Sequence, residues 1–140
     1  MLVVDGQGIP LGSHLASASP AEVKLAEAAL ESIRVPRKGR GRPRQRPQRL
    51  IADRGYDSDP LRKRLKALKI ELIAPHRRNR KKAKTQDGRK LRRYRKRWKV
   101  ERTFAWLGNF RRLVVRYERH ILMYRAFFHL ACLMIVLNRF

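Results

Sequence analysis

The chain has 140 residues, a formal net charge of +25 from 36 Lys and Arg against 11 Asp and Glu, and an ordinary 43% of hydrophobic residues. That length suits one domain or part of one, and the apolar fraction is enough for a core. A charge this high repels itself in a compact state unless a polyanion neutralises it. Nucleic acid is therefore the leading partner class, with an anionic membrane surface the weaker alternative.

The N-terminal "MLVVDGQGIPLG" has no basic leader and no long apolar run, so it does not read as a signal peptide. Apolar runs on both sides of Gly6-Gln7-Gly8 predict a β-hairpin, with Pro10 at a strand start or on an edge. In "SPAEVKLAEAALESI", Ser19 suits an N-cap, Pro20 the first helical position and Glu22 an S-x-x-E capping box. Val23, Ala26, Leu30 and Ile33 then recur at helical spacing.

Residues 34–49, "RVPRKGRGRPRQRPQR", hold seven Arg, one Lys, three Pro and two Gly, a composition that predicts an extended loop. A short strand "LIAD" ends at Asp53, and Arg54-Gly55-Tyr56 turns the chain. Asp59 suits an N-cap, with Pro60 opening the helix "PLRKRLKALK". "IELIAP" predicts another strand, and residues 76–90 a second basic loop.

From about Leu91 a helical pattern runs past Phe110, and an apolar helix fills about 120–138. That last segment carries Arg125 and His129 near its middle and falls short of a membrane span, so it reads as a buried core helix. Cys132 lies within it and reads as a small core residue, since one cysteine forms neither an internal disulfide nor a zinc site. Strands alternating with helices predict an α/β fold with a mixed sheet and flanking helices.

The acids are few enough to weigh singly. Asp53 sits at the C-terminal end of a predicted strand, where α/β sheets place their sites. Asp57 and Asp59 read as turn and cap residues. Glu101 is the only carboxylate between Asp87 and Glu118. It shares a helix face with Tyr94 and Arg97 at i, i+3, i+7, beside an apolar stripe of Val100, Phe104 and Leu107. It is expected beside the core and not on the outer surface. A local Arg97–Glu101 ion pair and a functional role both fit this spacing. Within the basic run 77–99, Tyr94 and Trp98 could stack on bases, but Trp98 is expected to pack on the core. Hard carboxylates in a basic, phosphodiester-binding protein suit Mg²⁺ chemistry.

Two blocks together, "ADRGYDSDPLRKRL" and "YRKRWKVERTFAWLGNFRRLVVRYER", resemble the C-terminal part of the catalytic domain of a bacterial insertion-sequence transposase of the DDE class. Tyr94, Arg97 and Glu101 match its Tyr-Arg-Glu signature, whereas Gly108 stands where a Lys is often found. The resemblance implies an RNase H-like fold with Asp53 and Glu101 as catalytic Mg²⁺ ligands, Mn²⁺ being a possible substitute. It implies Mg²⁺-dependent strand cleavage and strand transfer on double-stranded DNA, at transposon ends and target. Tyr94, Arg97, His76 and Arg77 would support the site or contact DNA.

"RGRP", Arg40 to Pro43, also resembles the core of an AT-hook, which would place Arg40 and Arg42 in a minor groove; a loop gripping phosphates without preference is the alternative. The family's first catalytic Asp lies upstream of the segment matching "VDGQGIPL", and Asp5, the one candidate substitute, matches the hairpin turn. The expectation is an RNase H-like sheet lacking its first, central strand across residues 1–140, with a helical part over 91–140. Such a chain would be poorly folded or inactive alone. It would work with an upstream-encoded half, as a homo-oligomer when active, in the cytoplasm and on the nucleoid. A non-catalytic DNA-binding remnant is the alternative, and an RNA-binding structural protein is allowed by composition alone.

Overall fold

The computed structural model describes residues 1–17 and 19–139. Strands β1 (Leu2–Val4) and β2 (Pro10–Ser13) form the expected antiparallel hairpin, with Pro10 opening β2. Asp5 makes its turn: Oδ1 accepts the backbone N–H of Gln7 at 2.7 Å and of Ile9 at 2.9 Å. A carboxylate so used is a turn residue.

Helix α1 (Glu22–Glu31) follows, but the capping box does not form. Its N-cap is Ala21, with no side-chain cap. The Glu22 carboxylate instead accepts the buried Tyr56 hydroxyl at 3.1 Å, so tertiary packing has taken the local capping group. α1 lies closely on β2. A Cβ on Gly12 would meet Ser32 Oγ at 2.6 Å and the Ala29 carbonyl at 3.0 Å.

Strand β3 (Arg49–Ile51) pairs in parallel with β4 (Glu71–Ile73), and Ala52 N–H extends the ladder to Ile73 O at 3.0 Å. Between them lie a 3₁₀ turn (Arg54–Tyr56) and α2 (Asp59–Ala67). Ser58, not Asp59, is the N-cap of α2; Asp59 and Pro60 occupy its first turn, where a carboxylate and a missing N–H are both tolerated. Leu61 and Leu65, one turn apart, are fully buried.

The predicted long helix is broken. A short α3 (Gly88–Leu91) passes into a 3₁₀ segment (Arg92–Arg97), then α4 (Trp98–Leu107), then a short α5 (Arg111–Val114). Helix α6 (Ile121–Leu137) ends the description. Only Phe128, Ala131 and Ile135 are buried along it, while Leu122, Leu130, Leu133 and Leu137 are more than half exposed. The expectation of a buried core helix is therefore corrected: one stripe packs and the rest faces out. Among the described residues no helix is long and apolar enough to cross a membrane.

β1 joins two apolar clusters. Val3 belongs to the cluster that holds the buried residues of α1, α2 and β4, whereas Leu2 belongs to the cluster of Leu107 of α4 and Phe128, Ala131 and Ile135 of α6. Successive side chains on a strand point to opposite faces, so three residues serve two layers. The architecture is mixed α/β with two separate two-stranded sheets.

Candidate active site and nucleic-acid interface

Asp53 follows β3 and is half-buried. Its Oδ1 accepts Gly55 N–H at 2.8 Å, which caps the 3₁₀ turn. The turn is held from outside by Arg77, whose guanidinium donates to Gly55 O at 2.9 Å and Arg54 O at 3.4 Å. Arg77 therefore fixes the loop that carries Asp53.

Tyr94, Arg97 and Glu101 do share one face. In a 3₁₀ segment residues three apart eclipse, so Arg97 stacks 5.8 Å from the Tyr94 ring centroid. One α-turn further, Arg97 ion-pairs with Glu101. The Glu101 side chain is 54% exposed, which corrects its expected position beside the core. The buried positions of α4 are Thr103 and Leu107, and Phe104 is 52% exposed, so the buried stripe is rotated from the one the apolar residues suggest. Thr103 tolerates full burial because its hydroxyl donates to Gly8 O at 2.5 Å. Lys99 and Arg102 donate to Gly6 O and Gln7 O, so α4 grips the hairpin turn at three successive carbonyls. Trp98, expected on the core, is about half exposed. The Arg102 guanidinium lies 4.8 Å from both the Trp98 and Trp106 rings, a cation–π sandwich in which Trp106 also packs against the apolar cluster.

The buried acid is Asp57, which the sequence presented as a turn residue. Oδ1 accepts from Arg62 at 3.1 Å and from His76 Nδ1 at 2.9 Å, and Oδ2 accepts Arg77 N–H at 3.0 Å. Burial pushes this carboxyl up, but those three donors outweigh it and hold it at about 2, below the usual 3.8. His76 Nε2 accepts the backbone N–H groups of Thr85 and Gln86 at 3.0 and 3.1 Å, which places its proton on Nδ1. Arg62 also donates to Leu72 O, Ala74 O and Gln86. Arg80 pairs with Asp59 at 2.9 Å. His76 is thus a strut beneath the second basic loop. No local sequence signal marks this knot, because its members are scattered from 57 to 86.

Arg40 and Arg42 stand on the exposed tip of the first basic loop, apart from these acids. Asp53 and Glu101 themselves share no hydrogen bond or ion pair. Their elements are linked at one remove: the 3₁₀ segment leading into α4 packs on β3, and α4 itself packs on β1. Among the described residues no group of three or more His, Cys, Asp or Glu is placed to hold a metal ion. With Glu101 paired to Arg97, the acids present do not complete a metal centre by themselves.

A basic α/β chain with a strand-end aspartate and a Tyr-Arg-Glu helix face belongs to the transposase DDE domain family, whose model matches residues 1–137. Domains of this family generally use divalent metal ions. A Burkholderia cepacia protein named "Putative transposase for insertion sequence element IS402" is 40% identical over 137 residues, covering 98% of this chain and 61% of that relative. The chain thus spans about 61% of the length of the curated relative it matches. No solved structure matches it.

Proposed function

We propose that residues 1–140 are a partial RNase H-like catalytic domain of an insertion-sequence transposase, acting by Mg²⁺-dependent cleavage and strand transfer on double-stranded DNA. The observation that carries the reading is the helix face of Tyr94, Arg97 and Glu101 lying across elements that contact both β1 and β3. β1 pairs only with β2 and β3 only with β4 among the described residues, which leaves each with a free edge for one intervening strand. Asp53 and Glu101 are two of the metal-holding carboxylates, with Mn²⁺ as a substitute ion. A further carboxylate comes from protein outside these residues, an upstream-encoded half of the same transposase. Bound Mg²⁺ would stabilise charge on the phosphodiester oxygens. Arg77 positions the Asp53 loop, and Tyr94 and Arg97 orient Glu101 or meet DNA. The active form is a homo-oligomer.

The test is cleavage of a labelled transposon-end duplex by the chain completed with its upstream part. Asp53→Asn and Glu101→Gln are each expected to abolish cleavage while retaining DNA binding. Undiminished cleavage by either variant would sink the assignment. DNA binding without chemistry is the second reading, supported by the lack, among the described residues, of any group of three or more His, Cys, Asp or Glu placed to hold a metal ion. It predicts that the completed protein also fails to cut.

A further inference from the structure

The two basic loops differ in what their charges do. In residues 76–90 half of the cations are occupied, Arg77 on the Asp53 turn, Arg80 on Asp59, Arg89 on Asp87 and Lys90 on Glu71, while Arg78, Lys81, Lys82 and Lys84 are exposed. In the first loop residues 36–46 are all exposed. Arg37, Lys38, Arg40, Arg42, Arg44 and Arg46 have no carboxylate or hydrogen-bond partner for their side chains among the described residues. Yet this loop is not shapeless. Val35 and Arg44 exchange both backbone hydrogen bonds, 2.9 and 2.8 Å, which closes residues 36–43 into a narrow tongue.

Its tip is Gly39-Arg40-Gly41-Arg42-Pro43. Gly39 and Gly41 have φ of +130° and +140°, values that side chains rarely adopt. Nothing crowds Gly39, so backbone conformation and not space demands glycine there. The outcome is a slim ribbon in which arginine alternates with residues lacking Cβ.

We propose that this tongue enters the minor groove of A·T-rich duplex DNA, with Arg40 and Arg42 as the inserted side chains. The minor groove is only about 6 Å wide, so a backbone bare at alternate positions can approach its floor where a bulkier chain cannot. Guanidinium groups are donors only, and an A·T floor offers acceptors only, whereas a G·C pair adds an opposing amino donor. Narrow A-tract grooves also carry the strongest negative potential for arginine. Pro43 fixes its own φ and removes an N–H that the groove would leave unpaired. The proposal rests on the DNA-acting reading above and adds the base composition that the protein selects.

The experiment is fluorescence anisotropy of the chain with two short duplexes, one bearing a central A-tract and one all G·C, at physiological salt. The expected preference for the A-tract is about tenfold, and netropsin should compete for it. Arg40→Ala/Arg42→Ala should bind both duplexes equally. Gly39→Ala/Gly41→Ala keeps every charge and should lose the preference while keeping affinity for the G·C duplex. Circular dichroism establishes that both variants retain the parent fold. Equal binding by the parent chain would overturn groove selection and leave the DNA reading standing. An A-tract preference that persists in the arginine variant would overturn the assignment to this loop. Failure to bind either duplex would overturn both readings.

Discussion

At the residue scale, the acids divide by what their surroundings ask of them. Asp57 is the most enclosed carboxylate with named partners, and removing its charge leaves Arg62 and the Arg77 N–H poorly paired. Asp57→Asn is expected to cost about 3 kcal/mol in a urea melt. Asp59→Asn, which breaks a partly exposed pair with Arg80, should cost under about 1 kcal/mol. The pH dependence follows from the lowered carboxyl. Asp57 ionises at about 2 in the folded chain against 3.8 ordinarily, so its contribution is complete above about pH 4 and disappears as pH falls towards 2. Stability measured through that window should fall more steeply in the parent chain than in Asp57→Asn. Glu101 is the opposite case. Its exposed pair with Arg97 adds little, so Glu101→Gln should change the melt by less than about 0.5 kcal/mol. Loss of cleavage in that variant would then report on chemistry and not on folding.

At the scale of elements, α4 is positioned by the hairpin turn and not by apolar packing alone. Thr103 is fully buried and its hydroxyl reaches Gly8 O. Thr103→Val keeps the shape and orphans that carbonyl, an expected loss of about 1–2 kcal/mol in a urea melt. The same contact explains why the apolar pattern of α4 misled. Val100, Phe104 and Leu107 suggest one stripe, but a threonine with a satisfied hydroxyl occupies the deepest position and turns Phe104 outward. The capping box at Ser19 and Glu22 fails for a related reason. Glu22 is spent on Tyr56, 34 residues away, a partner that no local window contains. The hairpin, α1, α2 and β4 were legible because their signals are local: Pro10 at a strand start, apolar spacing, and Pro60 near a helix start.

At the scale of the whole molecule, charge and apolar surface remain uncompensated together. The net charge of +25 predicts DNA binding that weakens steeply with salt. The log–log slope from a titration of the parent chain should flatten when loop arginines are removed. The outer stripe of α6, with Leu130, Leu133 and Leu137 each more than half exposed, is an apolar surface suited to association. Leu133→Gln/Leu137→Gln should reduce self-association in sedimentation and leave the melt nearly unchanged. Unaltered sedimentation would show that the stripe does not mediate association.

The sequence alone determined the excess of positive charge, the order of the hairpin, α1, β3, α2 and β4, and the shared face of Tyr94, Arg97 and Glu101. Each depends on composition or on spacings within a few turns, which the backbone geometry converts directly into position. Only the tertiary structure decided that Asp57, and neither Asp53 nor Asp59, is the buried aspartate, that His76 is a strut, and that Glu101 is open to solvent. It also decided that Arg77, Arg80, Arg89 and Lys90 of the second basic loop are tied down, while the arginines of the first loop's tongue stand exposed. Those outcomes depend on which distant donors reach which carboxylates, and such partners, separated by 19 to 34 residues, are chosen by packing.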